Sequence, residues 1–327
     1  MRTTEPIRTV LFGLGKMGRF HYTTLQKDSR FALVAVVNPV IQELPDNAES
    51  LPLLLDTGTL WAMSPQVAIV ATPSPTHFEL TKTLLERNLG VLVEKPAATT
   101  SGEVEELVVL AANKGLPLAV GHVERCNPAV SALRGVLDSG ILGRPVHIHA
   151  MRGGLAPSAG THNHVILDLA VHELDVVGLL LGDIRLEHVA MHCTAGERIP
   201  DTAEIQLSSD AGTTASVHVN WLTPQKTRRL RVTATDGVCE IDYLNQTCKL
   251  WGRDLYQRES LLRGAFKRDP DEEFADSIDM LVHRRHSLEV QLDQFRRYFQ
   301  GEDHMLCTGE HIVASVRLVD EIMATLQ

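Results

Sequence analysis

The sequence predicts an α/β protein in which a doubly wound parallel sheet precedes an α+β domain with a large, mostly antiparallel sheet. Three observations support this fold class. The chain opens with a strand, a glycine-rich turn and a helix; buried strands then alternate with helices as far as residue 122. Residues 144–252 instead alternate apolar and polar side chains with the period of two typical of half-buried strands. We therefore expect two domains, at residues 1–122 and 123–327.

Composition excludes several classes of partner. The formal net charge of −10 argues against binding to nucleic acid or to an anionic membrane, which both require a basic surface. No segment approaches the ~20 consecutive apolar residues of a membrane span. The first ten residues lack the apolar region of a secretory signal, and the five cysteines form no CxxC pair. We expect a cytoplasmic protein with reduced thiols.

The glycine-rich turn indicates a dinucleotide site. Gly13 suits the tight turn, Gly15 lets a pyrophosphate approach the backbone, and Gly18 lets the following helix pack closely on the first strand. In this position the motif favours a Rossmann domain that holds phosphates on helix N-terminal amides; the alternative is a glycine turn in another α/β protein. The cofactor-binding residues predicted here are Gly13, Gly15, Lys16, Met17 and Gly18.

The second strand, residues 32–38, ends in Asn38, where an Asp or Glu normally binds the adenosine ribose. A neutral amide can still bind the ribose but would not repel a 2′-phosphate. The choice between NAD and NADP is therefore open, and NAD is mildly favoured because residues 39–42 contain no arginine. Alternatively, Asn38 only starts a turn before Pro39. We predict a helix around residues 51–63 in the segment that follows.

Two further buried strands end in polar residues. Residues 67–72 lead into Pro73-Ser74-Pro75-Thr76-His77, and residues 90–93 lead into Glu94-Lys95-Pro96. Ligands of open parallel sheets bind beyond the carboxyl ends of the strands, so Lys95 would lie at the floor of the site. A local capping role for His77 and a solvated Lys95 are the alternatives. The cofactor contacts predicted here are Thr72, Pro73, His77, Glu94 and Lys95.

In the second half, a mostly apolar helix over residues 165–181 carries Asp168, His172 and Asp175 at positions i, i+4 and i+7. A core histidine satisfied by an aspartate is one interpretation. General acid/base chemistry with Lys95 is the interpretation that we favour, since proton abstraction needs a group that titrates near neutrality. His162, His164 and His172 lack zinc-ligand spacing, so we predict no metal. Two helices, at about 271–299 and 309–326, close the chain.

One basic run stands out in this acidic chain. On a strand, Lys226 and Arg228 would point to one face and Arg229 and Arg231 to the other. The first pair could clamp a phosphate, or the charges could protect a solvated sheet edge; both interpretations stay open.

Together GLGKMG, ATPSPTH, VLVEKP and DLAVH resemble motifs of the Gfo/Idh/MocA (glucose–fructose oxidoreductase / inositol dehydrogenase) family over essentially the whole chain. The resemblance implies that Lys95, Asp168 and His172 line the site where a sugar carbon loses hydride to a nicotinamide. It also implies a homodimer or homotetramer formed through the outer face of the second sheet. A catalytically silent nucleotide-dependent sensor on the same fold is a rival from another class.

Residues 121–128, 220–224, 228–230 and 241–246 are similar to the branch that oxidises the 3-hydroxyl of UDP-N-acetylglucosamine or its uronic acid. For that nucleotide-sugar substrate the resemblance implies a binding set of Arg125, Asn127, Lys226 and Arg228. Cys126 stands where an aromatic residue is expected, and Asn38 where an acidic one is. The alternative activity within the family is a dehydrogenase of free sugars or cyclitols.

Overall fold

The computed structural model describes residues 5–40, 51–156, 164–194, 199–252, 266–267 and 277–325. The α-helices of this part are α1 (Lys16–Lys27), α2 (His77–Glu86), α3 (Ser101–Lys114), α4 (Pro128–Ser139), α5 (Val171–Leu181), α6 (Ser287–Phe299) and α7 (Glu310–Ala324). The strands are β1 (Ile7–Phe12), β2 (Phe31–Val37), β3 (Leu53–Leu54), β4 (Val67–Val70), β5 (Gly90–Val93), β6 (Leu118–Val120), β7 (Pro145–Leu155), β8 (Ile184–His192), β9 (Thr202–Ser209), β10 (Thr214–Asn220), β11 (Leu222–Ala234), β12 (Gly237–Asp242), β13 (Thr247–Gly252), β14 (Phe266–Lys267), β15 (Ser277–Met280) and β16 (Cys307–Thr308).

The packing of the chain defines two compact units. The first comprises the residues up to His122 together with Leu288–Val316, and the second comprises Val123–Ser287 and the residues from Arg317 onward. The predicted domains, at residues 1–122 and 123–327, stay a prediction, and the compact units differ from them in one segment. Residues 288–316 join the first unit because β16 pairs with β6 there, a long-range pairing that local sequence patterns do not reveal.

A seven-stranded sheet forms the first unit, in the order β16-β6-β5-β4-β1-β2-β3. All neighbours run parallel except β16, which is antiparallel to β6. Every residue of β4 and β5 is buried, as expected for parallel strands covered on both faces. Strand order reverses between β1 and β4, and ligands of doubly wound sheets bind beyond the carboxyl ends of the strands at this position.

A nine-stranded sheet forms the second unit, in the order β14-β15-β13-β12-β11-β7-β10-β9-β8. Only β7 and β10 pair in parallel among its described strands. Apolar residues of α4, α5 and the end of α7 pack with one face of this sheet in a single core. A parallel sheet followed by a mostly antiparallel one confirms the predicted fold class.

Three predicted helices differ from the structure. Residues 51–63 form the short strand β3 and a 3₁₀ turn at Leu60–Met63. Residues 277–280 form β15 and the closing helix α6 starts at Ser287, while residues 271–276 lie outside the described residues. The helix over residues 165–181 begins with a π-helical turn, Ile166–Ala170, before α5. No helix in the described ranges is long and apolar enough to cross a membrane.

Candidate active site

The glycine turn packs directly against the end of β4. Gly13 has a φ of +92°, and a Cβ atom at this position would lie 2.5 Å from the carbonyl oxygen of Ala71. A Cβ atom at Gly18 would lie 2.1 Å from the carbonyl oxygen of Gly13. Both positions therefore require glycine, one for the turn and the other for close packing of α1, as the motif predicts.

Gly15 differs because a Cβ atom there would meet nothing within 4 Å. It is the N-cap of α1, makes no side-chain capping hydrogen bond, and is followed by a first turn without acidic residues. Lys16 is exposed and Met17 is half-buried. Open space, uncapped amides and the positive end of a helix dipole suit a pyrophosphate, so these residues fit the dinucleotide that the motif predicts.

Asn38 is buried and braces the glycine turn. Its Oδ1 accepts a hydrogen bond from the Leu14 amide at 3.1 Å, and its Nδ2 donates to the Val40 carbonyl at 2.6 Å. The side chain thus links β2 to the turn that follows β1. Its predicted contact with the cofactor ribose stays a prediction, and no carboxylate occupies this position.

His77 joins two chain segments that follow buried strands. Its ring is buried, with Nδ1 2.7 Å from the Pro96 carbonyl oxygen and Nε2 2.8 Å from the Thr72 carbonyl oxygen. Neutral imidazole has a single N–H, so both contacts are hydrogen bonds only when both nitrogens carry a proton. A residue that contacts a cofactor must be at least partly exposed. Thr72 is half-buried and Pro73 is exposed, so both meet this condition.

Lys95 is half-buried and lies between two anchored residues. Glu94 is 8% exposed, and its carboxylate lies 2.7 Å from Nε2 of His21 on α1. The Glu94 amide donates to the Val70 carbonyl, which continues the pairing of β5 with β4. Pro96 follows through a cis peptide bond. The Glu94 carboxylate therefore already has a partner within the protein. That partner, His21, was not predicted from the sequence.

In the second unit, Asp168 lies on the π-helical turn and His172 is the second residue of α5. The indole Nε1 of Trp221 donates to Oδ2 of Asp168 at 3.1 Å. Both Asp168 and His172 are half-buried. π-Helical turns often occur at functional sites, and this one sets the rotation of Asp168 relative to α5.

Asp175 was predicted on the same helix face as Asp168 and His172, but it forms a buried ion pair with Arg125. It is 2% exposed, and both of its oxygens accept from Nε of Arg125, at 2.8 and 2.7 Å. Asn127 caps α4 by accepting from the Ala129 amide, and its Nδ2 donates to Glu124. Arg125 and Asn127, predicted to bind substrate, are both buried in contacts that shape the unit.

A buried ionic network surrounds Arg152. This arginine is 2% exposed, and its guanidinium bonds Glu173 at 2.5 Å and Glu124 at 2.9 Å. Burial would raise the pKa of Glu124, but Arg152 and Arg228 outweigh that effect and hold this pKa below its ordinary value. Burial raises the pKa of Glu173, which Arg152 only partly offsets. Tyr243 donates to Glu173 at 3.0 Å.

Arg228 lies at the exposed end of this network. Nη1 bonds Glu124 at 3.1 Å, and 29% of the side chain remains exposed. Burial and then Arg152 lower the pKa of Arg228, whereas Glu124, Glu173 and Asp168 raise it. Arg228 therefore lies within electrostatic reach of Asp168. Lys226 is exposed and precedes regular pairing of β11 with β7, which resumes at Thr227.

The other arginines of the basic run lie on the opposite face, as predicted. Arg229 is 58% exposed near Asp242 and Glu240, and Arg231 is 53% exposed near Glu240. His164 is buried, with Nδ1 accepting from the Ile166 amide, and burial lowers its pKa. His162 lies outside the described residues. The absence of a metal stays a prediction.

Sequence reasoning missed the residues that hold the predicted ones in place. They are His21, Glu124, Arg152, Glu173, Trp221 and Tyr243. One signal was present for some of them, because a charged residue on an otherwise apolar helix face or strand face must find a partner. Glu173 on α5 has this pattern. Its partner could not be identified, since Arg152 lies 21 residues away on another element.

Solved structures with the same fold cover almost all of both chains. The structure of UDP-N-acetylglucosamine 3-dehydrogenase from Acidithiobacillus ferrooxidans superposes with a TM-score of 0.82 and 22% identity, covering 99% of this chain and 100% of that one. An oxidoreductase from Agrobacterium radiobacter, in complex with NAD+, L-tartaric acid and magnesium, gives 0.80 and 18% identity, with coverage of 99% and 98%.

By sequence, the Acidithiobacillus enzyme is 28% identical over 253 residues, or 76% of this chain and 77% of its own length. Inositol 2-dehydrogenase 4 from Saccharopolyspora erythraea is 30% identical over 231 residues, or 67% and 68%. Residues 7–122 match the oxidoreductase family with an NAD-binding Rossmann fold, and residues 130–240 match the GFO/IDH/MocA C-terminal domain. The chain belongs to the GFO/IDH/MocA family of oxidoreductases and carries its NAD-binding domain.

Proposed function

We propose that this protein is an NAD(P)-dependent dehydrogenase that oxidises the 3-hydroxyl of a UDP-linked amino sugar, of the UDP-N-acetylglucosamine type, to a 3-keto sugar. The observation that carries the proposal is the likeness to a UDP-N-acetylglucosamine 3-dehydrogenase over about three quarters of both sequences. Lys95, Asp168 and His172, the residues that the family motifs assign to catalysis, are all present. A cytoplasmic homodimer or homotetramer is part of the same proposal.

Each residue has a separate role in this reaction. His172 takes the proton of the substrate hydroxyl, because an imidazole can accept a proton near neutral pH. Asp168 orients the reacting groups and is itself held by the indole N–H of Trp221. Lys95 stabilises negative charge on the hydroxyl oxygen as its proton leaves, an electrostatic contribution of ~3 kcal/mol if it resembles an oxyanion donor. The bound nicotinamide supplies the hydride acceptor.

Replacing Lys95 tests this assignment. Lys95→Ala should lower kcat by about two orders of magnitude while the affinity for NAD(H), measured by fluorescence titration, stays within about threefold. Lys82→Ala is the matched control, because Lys82 forms an exposed ion pair with Glu106, and such pairs contribute little. Unchanged turnover in Lys95→Ala would refute a catalytic role for this lysine.

The substrate is tested by a panel followed at the NADH absorbance. UDP-N-acetylglucosamine, its uronic acid, N-acetylglucosamine, glucose and inositol are each assayed with NAD and NADP. Activity on UDP sugars alone supports the proposal and measures the cofactor preference that Asn38 leaves open. Tight cofactor binding without turnover on any of these compounds would favour the silent sensor instead.

Oxidation of a free sugar or cyclitol is the second candidate, favoured by the similarity to an inositol 2-dehydrogenase over two thirds of both chains. The exposed Lys226 discriminates between the two. If a diphosphate binds there, Lys226→Ala should raise the KM of a UDP sugar about tenfold with little change in kcat. Arg231→Ala, on the opposite face of β11, is the control. Arg228→Ala is less informative because Arg228 also bonds Glu124.

A further inference from the structure

We propose that His21 and His77 are positioning residues for Lys95, and that they act by fixing the two residues on either side of it. The inference rests on the catalytic role proposed above for Lys95. Neither histidine touches the lysine in a described contact. Each instead bonds a neighbour of Lys95 in the chain, His21 the Glu94 carboxylate and His77 the Pro96 carbonyl.

Support on the N-terminal side comes from His21. This residue is fully buried on α1, and its Nε2 lies 2.7 Å from Oε1 of Glu94. Gly121 lies close to the same carboxylate, since a Cβ atom there would lie 3.0 Å from Oε2 of Glu94. The carboxylate is thus confined between α1 and the residue that follows β6. Rotation of Glu94, and of the backbone leading into Lys95, is correspondingly restricted.

Support on the C-terminal side comes from His77. Its Nδ1 lies 2.7 Å from the Pro96 carbonyl oxygen and its Nε2 lies 2.8 Å from the Thr72 carbonyl oxygen just beyond β4. The proposed support requires the proton on Nδ1, which then donates to Pro96. Because the ring is only 1% exposed, water does not compete for these contacts. The segment after Lys95 is thereby tied to the neighbouring strand of the sheet, although β5 itself ends at Val93.

The catalytic consequence follows from geometry. β5 ends two residues before Lys95, so sheet pairing alone does not hold the lysine backbone beyond the Glu94 amide. When Glu94 and Pro96 are both fixed, the backbone of Lys95 is fixed as well, and the amine moves only by rotation of the lysine side chain. Misplacing a catalytic group by about 1 Å can cost about 100-fold in rate, so loss of either support should lower kcat more than it raises KM.

Two pairs of polar variants test the proposal with opposite expectations. The side-chain amide nitrogen of Asn lies near the position of histidine Nδ1, and that of Gln near Nε2. His21→Gln therefore keeps the bond to Glu94 and His21→Asn loses it. At the second site the order reverses, because His77→Asn keeps the bond to Pro96 whereas His77→Gln keeps only the bond to Thr72.

We expect His21→Asn and His77→Gln to lower kcat about 10- to 100-fold, and His21→Gln and His77→Asn to lower it at most about threefold. The affinity for NAD(H) should change little in the two His21 variants. The two His77 variants are compared only with each other, because His77 is also a predicted cofactor contact. Thr81→Val, a buried isosteric change on α2, is the control for packing. If the histidines had only a structural role, loss of activity would follow loss of thermal stability. Gln would then not be the better tolerated residue at position 21 and Asn the better tolerated one at position 77.

A second readout does not depend on the substrate. Acetic anhydride labelling of Lys95, quantified by peptide mass spectrometry, should change rate in His21→Asn and His77→Gln and keep the wild-type rate in Thr81→Val. A crossed labelling pattern without sugar oxidation would refute the proposed function and keep the positioning role. Wild-type labelling and equal kcat in both members of each pair would overturn the positioning role. If His21→Asn does not fold, Glu94→Leu takes its place, because it removes the acceptor for His21 and should change the labelling rate in the same way.

Discussion

Arg152 offers the sharpest test of how the second unit is held together. Arg152→Met removes the cation from a network in which Glu173 and Glu124 both bond it, while methionine fills much of the volume. Removing one partner of a buried ion pair costs about 3–5 kcal/mol, because a charge is left uncompensated. Glu124 keeps Arg228 and Glu173 keeps the Tyr243 hydroxyl, so we expect the lower end of that range.

The loss of stability should also depend on pH. The pKa of Glu173 is raised by burial above its unfolded value of about 4.3, so its favourable contribution is present at acidic pH and is lost as pH rises through the folded pKa. Arg152 opposes this rise in the pKa of Glu173. Removing Arg152 therefore raises the pKa further and widens the pH range over which the contribution of Glu173 is lost. The pKa of Glu124 is lowered by Arg152 and Arg228 against burial, so its contribution above the unfolded pKa also shrinks without Arg152. The free energy of unfolding that Arg152→Met loses relative to the wild type, called the deficit below, should therefore be larger near pH 8 than near pH 5.

Urea denaturation at both pH values measures this deficit. Trp61 belongs to the first unit and Trp221 and Trp251 to the second, so fluorescence in a Trp61→Phe background reports the second unit. Arg229→Met is the control, because Arg229 is largely exposed and surface pairs contribute about 0–1 kcal/mol. A deficit no larger than that of the control, or one equal at both pH values, would refute the network as an electrostatic support.

Three further outcomes are expected. Gly15→Ala should leave the melting temperature within a few degrees but weaken NADH binding at least about tenfold in a fluorescence titration, since its Cβ would fill only the space open to the cofactor. Trp221→Phe removes the donor to Asp168 and should lower kcat about 3- to 10-fold without changing cofactor affinity; an unchanged kcat would exclude this orienting role. Ellman's reagent should label one thiol rapidly in the native protein, the exposed Cys193, and all five in denaturant, because the others are buried and burial, reinforced by Asp175, raises the pKa of Cys126 to about 12.

The sequence predicted the parts of the fold that depend on local patterns. The glycine spacing predicted the turn that Gly13 and Gly18 make possible, and continuous apolar runs predicted β4 and β5. Period-two alternation predicted a mostly antiparallel second sheet. These features depend on residues within about ten positions of each other, which explains why a single sequence is sufficient for them.

Partners that are distant in sequence could not be predicted in this way. Arg125 is 50 residues from Asp175, and His21 is 73 residues from Glu94. The family resemblance implied that Arg125 binds substrate, but the residue is buried and its Nε donates to both oxygens of Asp175. The prediction of a helix over residues 51–63 failed for a related reason: β3 exists because β2 provides an edge for it to pair with.

The charges around Arg228 bear on the substrate class. Glu124 bonds both Arg152 and Arg228, so one carboxylate compensates two guanidinium groups. Burial raises the pKa of Glu173, and Arg152 only partly offsets this effect. Asp168 also raises the pKa of Arg228, but less than Glu124 and Glu173 do. If His172 and Asp168 act on the hydroxyl that is oxidised, an anionic group of the substrate would find its cation in Arg228 and the exposed Lys226. An uncharged cyclitol would use neither, so the two proposed substrate classes differ in whether Lys226 contributes to binding.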